Sequence, residues 1–125
     1  VNSWHHAVSA ARKWGGTPDD YIAIEEFIDS SKKIIADVRH RSMYHHSAGV
    51  WLCQEVFGRT LSIPREAGGF FEVPVRLVAE RHVIEDLGWI PSPKDYIDGM
   101  TISAWMSGSK RVELPLSHIL KEPAA

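Results

Sequence analysis

Residues 20–57, "DYIAIEEFIDSSKKIIADVRHRSMYHHSAGVWLCQEVF", run without a proline, and where this run breaks decides the fold. Ile24, Phe27, Ile34, Ile35, Val38, Leu52, Cys53 and Val56 can form one apolar stripe along it before Gly58 ends the run. A single helix of that length is unusual in a small domain. Asp29-Ser30-Ser31 and Asp37 carry side chains that favour caps over helix interiors, so a division into two helices is expected at one of these points.

On the N-terminal side, Ser3 is expected to cap a helix in which Trp4, Ala7, Val8 and Ala11 recur at helical spacing, with Gly15-Gly16 as its stop. In "TPDD", Thr17 suits an N-cap, Pro18 the first helical position, and Asp20 the acidic member of a capping box. On the C-terminal side, "RTLSIP", "REAGG" and "FFEVPV" predict a small hairpin around a glycine turn. Pro74 opens a further helix that Gly88 closes, and Ser92 of "SPKD" caps a short one. "TISAWMSGSKRVELPL", residues 101–116, reads as a second hairpin turning near Gly108. The expectation is a mainly α, single small domain of four or five helices with one or two short β-hairpins. It takes in residues 1–125, with 119–125 as a frayed tail.

The 44% hydrophobic and 24% charged composition is that of an ordinary globular domain, and a formal charge of -2 gives no global attraction to nucleic acid. Cys53 stands alone, so no internal disulfide and no cluster of thiolate ligands can form. A reducing, cytoplasmic setting is the default expectation. No apolar run approaches the roughly 18 residues of a membrane span.

The chemistry concentrates in histidine. "ADVRHRSMYHH", residues 36–46, carries three histidines, and "WHH" at 4–6 adds two more. On a helical wheel Asp37, Arg41 and Tyr44 cluster with His40 beside them, while His45 falls about 140° away, in the stripe with Val38, Gly49 and Leu52. His45 is therefore expected to be buried. His46 points about 100° from it and is expected to be more exposed or to serve another contact. "ERHVIED" offers His82 and Asp86 one turn apart on another helix, as partners for His45, and His5 or His6 can add a nitrogen.

Neutral imidazoles and carboxylates from facing helices suit one divalent ion, zinc, iron or manganese; no organic cofactor is indicated. The candidate ligands are His5, His45, His46, His82 and Asp86. Asp37 and Arg41 are the candidate catalytic residues, Asp37 as ligand or base and Arg41 as the holder of a small anionic substrate. The plain alternative makes His45 and His82 satisfied core residues and places His40 and His46 on a solvated face with Arg39 and Arg41. In that case the protein is a non-enzymatic binding factor, for which Trp51, Trp89 and Trp105 would be anchors if exposed.

"SWHHAVSAARKWGG", "ADVRHRSMYHHSAGVWLCQEVFG" and "VPVRLVAERHVIEDLGWIPSPKDYI" resemble, in order and spacing, a family of small uncharacterised proteins found in phages, prophages and bacteria. The resemblance implies that His5, His6, Asp37, His40, His45, His46 and His82 occupy the family's recurring polar positions. It also implies a bacterial or infected-host cytoplasm, with a host protein as a conceivable partner. The chain is more weakly similar to helical metal-dependent phosphohydrolases, from which it departs by having no adjacent His-Asp pair.

Overall fold

The computed structural model describes residues 2–108, and these form a mainly helical small domain. Helix α1 (Ser3–Trp14) and helix α2 (Pro18–Asp29) make an antiparallel pair across a short turn. Asn2, rather than Ser3, caps α1 by accepting from the His5 amide, and this shift frees the Ser3 hydroxyl. Thr17 and Asp20 close the expected capping box on α2. Gly16 at φ +83 makes the turn, and a Cβ there would stand 2.6 Å from Ile63, so this position needs glycine on two counts.

The proline-free run breaks at both expected points and at a third. A 3₁₀ turn (Ser30–Lys33) follows α2, and a second (Val38–His40) begins at Asp37, whose carboxylate accepts from the Arg39 amide. Helix α3 (Arg41–Tyr44) then lasts a single turn before the chain breaks again at His45 and His46. Helix α4 (Ser47–Phe57) completes the run. The single stripe is consequently not realised: Ile34 and Val38 are 75% and 67% exposed.

Strands β1 (Thr60–Pro64) and β2 (Phe70–Pro74) pair antiparallel in the expected hairpin, with Leu61 opposite Val73 and Ile63 opposite Phe71. Helix α5 (Val75–Leu87) ends at Gly88 in the left-handed conformation, and α6 (Pro93–Ile97) starts on the Ser92 and Asp95 capping box. The expected second hairpin is not formed in its described part, where Ala104–Ser107 make a 3₁₀ turn; its later residues and the 119–125 tail lie outside the described residues.

The core joins α1, α2, α4, α5 and the inner face of the hairpin through Ala7, Ala10, Tyr21, Ile24, Ile28, Val50, Cys53, Ile63, Val73, Val78 and Val83. Alternation along the strands sends Ile63 and Val73 inward. Small Ala7, Ala10 and Ala79 let α1, α2 and α5 approach closely, and a group of buried polar side chains lies where these helices meet. No helix among the described residues is long and apolar enough to cross a membrane.

Candidate metal centre

Two long helices supply most of the cluster. On α2, Tyr21, Ile24, Glu25, Ile28 and Asp29 are all buried, which is the i, i+3, i+4, i+7, i+8 spacing of one helical face. Glu25 and Asp29 therefore project inward with the apolar residues. On α5, His82 and Asp86 are also one turn apart and face them. Helix α1 adds His6 from the buried side of its first turn.

The fourth contribution comes from the broken segment. His45 lies between α3 and α4 at φ -83 and ψ 64, while His46 is extended, so the chain turns sharply between two helix ends. Two contacts hold the turn. Tyr96 of α6 donates to the His45 carbonyl at 2.8 Å, and Gly49 packs so closely on Tyr44 that a Cβ would stand 1.9 Å from the Tyr44 carbonyl oxygen. The His45 ring is thereby delivered, fully buried, to the carboxylates of α2 and α5.

Asp29, His45, His82 and Asp86 each present one ligand atom, and these atoms all lie within 4.8 Å of one another. His45 Nε2 stands 2.9 Å from Asp86 Oδ2 and 3.4 Å from Asp29 Oδ1. His82 Nε2 stands 3.2 Å from Asp29 Oδ1 and 3.3 Å from Asp86 Oδ2. Two ligand atoms each about 2.1 Å from one ion are about 3.0 Å apart at a right angle and about 3.4 Å apart at a tetrahedral one. The four histidine–carboxylate edges of the cluster match that spacing.

The remaining atoms of three of these residues are also held. His82 Nδ1 donates to Glu25 Oε2 at 2.6 Å, His6 Nε2 donates to Asp86 Oδ1 at 3.1 Å, and the Ser3 hydroxyl donates to Asp29 Oδ2 at 3.0 Å. Partners of this kind orient metal-binding side chains and fix the histidine tautomer. His45 Nδ1 is buried without a hydrogen-bond partner. His6 Nδ1 turns outward to Glu85 at 2.8 Å.

Charge is the strained feature of the metal-free cluster. Burial would lower the pKa of His82, but hydrogen bonds to Asp29, Asp86 and Glu25 push it up to about 11. Burial also opposes protonation of His6, and Asp86 and Glu85 raise it nonetheless. The two rings are stacked with centroids 3.8 Å apart, so a charge on one opposes a charge on the other. Burial would raise Asp29 and Asp86, yet the histidine hydrogen bonds hold both carboxyls well below the usual carboxylate range. Glu25 is raised, because its desolvation outweighs its bond to His82. An ion bound at the two Nε2 atoms would displace the proton from His82 Nε2.

The structure brings together three of the expected ligands, His45, His82 and Asp86, and leaves two elsewhere. His5 is exposed, because its neighbour His6 takes the inward side of α1. His46 is buried rather than exposed, but its ring serves the backbone: Nδ1 accepts from the Gly49 amide and Nε2 donates to the Ser42 carbonyl. Burial lowers its pKa, in keeping with a neutral cap.

Asp37 and Arg41 also lie outside the cluster. Asp37 is exposed, pairs with Arg39 at 2.7 Å and is held at about 2 by that hydrogen bonding. Arg41 is half-buried, with its Nε unpartnered. His40, placed on a solvated face in the plain alternative alone, is buried against the Ser31 hydroxyl at 3.0 Å. Glu25, Asp29 and Ser3 are the members not singled out by sequence. Cys53 is buried with its thiol pushed up to about 12 by desolvation, which makes it a packing residue.

No curated protein and no solved structure matches the chain. The family described as Domain of unknown function (DUF6915) matches residues 1–106, a span that includes every residue of the cluster, and the chain belongs to that family.

Proposed function

We propose that this protein binds one divalent metal ion through His45 and His82 Nε2, Asp29 Oδ1 and Asp86 Oδ2. The observation that carries the reading is that both Nε2 atoms face the same two carboxylate oxygens, at 2.9 to 3.4 Å, around one shared centre. Two imidazoles and two carboxylates suit iron, manganese or zinc. With four protein ligands zinc would be closed and structural, whereas a six-coordinate iron or manganese would keep two positions for water or substrate. Bound there, such an ion supplies Lewis acidity toward a phosphoryl or carbonyl oxygen and acidifies a bound water, the chemistry of a hydrolase acting on an anionic substrate.

A second reading is that the histidines tie helices together and the protein works by binding a partner. It is supported by the ability of protons alone to satisfy His6 and His82, each of which contacts carboxylates through both ring nitrogens. The exposed rings of Trp51, Trp89 and Trp105 would then be the contact surface.

Thermal melting of protein purified without a histidine tag, stripped and then titrated with manganese, iron or zinc, separates the two. The metal reading expects stabilisation of about 2.7 kcal/mol at a hundredfold excess of metal over its Kd. It expects that effect to vanish in Asp86→Asn. An unchanged melting temperature with all three ions would leave the structural reading standing.

A further inference from the structure

We propose that the cavity over Asp29 is the entrance to this centre and receives an anionic ligand of the phosphate or carboxylate class, held by Lys32 and Lys33. The inference rests on the metal reading and specifies what meets the ion and from which side.

The cavity has a volume of about 370 Å³, within the usual range of small-molecule sites, and its lining includes Asn2, Ser3, Glu26, Asp29, Lys32 and Lys33. Asp29 is the connection. Its Oδ1 faces the His45 and His82 Nε2 atoms, while its Oδ2 accepts from Ser3 and lies 3.7 Å from Lys32 Nζ. One carboxylate thus separates the cavity from the position of the ion. His82 and His45 are fully buried behind it.

The fold explains why lysines stand here. Helix α2 ends at Asp29, and the 3₁₀ turn that follows carries Lys32 and Lys33 back across the helix end, beside the start of α1. Cations at a helix C-terminus are also favoured by its exposed carbonyls. A divalent ion would neutralise Asp29 and Asp86, leaving the two lysines against the single carboxylate of Glu26 in the lining. The side-chain nitrogen of Asn2 adds an uncharged donor for anion oxygens, the Ser3 hydroxyl being engaged by Asp29. Arg41, the residue expected from sequence to hold the anion, does not line this cavity.

The test uses manganese as the ion and inorganic phosphate as the probe. Manganese bound to excess protein broadens the phosphorus NMR line of a phosphate that reaches it, and calorimetry independently counts the bound manganese. In the wild-type protein, broadening that saturates with phosphate is expected. The double variant Lys32→Glu/Lys33→Glu should keep its manganese and lose phosphate affinity by at least about tenfold, whereas Arg39→Glu, at a different cavity, should change neither. Bound manganese with no broadening, or equal phosphate affinity in the double variant, would overturn the entrance while leaving the metal reading intact. Failure of the wild-type protein to bind manganese, iron or zinc would overturn both.

Discussion

Two pairs of adjacent histidines meet different fates. His5 and His6 lie in the unbroken helix α1, where successive side chains diverge by about 100°, so burial of His6 leaves His5 in solvent. His45 and His46 straddle a break, with ψ 64 at the first and extended backbone at the second, and both rings are buried. They divide the work: His45 turns to the carboxylates of α2 and α5, and His46 caps α4. A helical wheel is a sound guide only while the hydrogen-bond ladder continues. Where it stops, two neighbours can both leave solvent because the backbone turns between them.

The largest expected effect follows from removing the inward member of the broken pair. His45→Ala should abolish metal binding and, by leaving Asp29 and Asp86 with one partner fewer, cost about 3 to 5 kcal/mol in the metal-free protein, measured by chemical denaturation. His40→Ala should cost about 1 to 3 kcal/mol through the lost Ser31 contact and leave metal affinity unchanged. Equal effects of the two substitutions on metal affinity would contradict the assignment of the ion to His45 rather than His40.

The turn itself can be attacked next. Gly49→Ala drives a Cβ into the Tyr44 carbonyl, and a destabilisation of about 1 to 3 kcal/mol with weakened metal affinity is expected, because the same turn aims His45. An unchanged melting temperature would show that Gly49 does not pin it.

The pH dependence sharpens the comparison from the side of charge. His82 is raised from 6.5 to about 11, so its contribution to the metal-free fold is complete below about 6.5 and is lost as the pH climbs to about 11. Asp29 and Asp86 are lowered from 3.8, so their contribution is present above that value and is lost in acid. Through these three groups metal-free protein should be stabilised most between about 4 and 6.5 and weaken toward alkaline pH, while His46 and His40, both lowered by burial, offset part of that gain below about 6.5. Metal-loaded protein should instead gain stability as the pH rises above 6.5, since the ion competes with protons for the Nε2 atoms. Parallel melting curves from pH 6 to 9 with and without metal would contradict the shared site. The smallest effect belongs to His5→Ala, which should leave metal affinity unchanged; a loss there would contradict the exposed position of His5 in α1.

Most of the fold is legible because its signals are local. The Thr17–Asp20 and Ser92–Asp95 boxes, the Gly88 stop and the strands flanking Gly68-Gly69 all act within a few residues. The site is only partly legible. His82 and Asp86 announce themselves by one-turn spacing, and His45 was expected inside on a continuous wheel, a burial that the structure achieves through a break. Glu25 and Asp29 carry a readable signal, since both fall on the buried face of α2 with Tyr21, Ile24 and Ile28. Asp29 reads as a helix breaker, and α2 does end there, but its carboxylate caps nothing and turns instead to the histidines. Ser3 is hidden by a shift of one residue in the cap of α1, and whether His5 or His6 turns inward depends on tertiary packing, which no pattern within α1 specifies.

The most direct measurement is elemental analysis of the chain purified without a histidine tag, alongside Asp29→Asn and Asp86→Asn. The account predicts close to one equivalent of iron, manganese or zinc per chain in the wild-type protein and a marked loss in both variants. Wild-type protein that carries no divalent metal and takes none up on titration would contradict it.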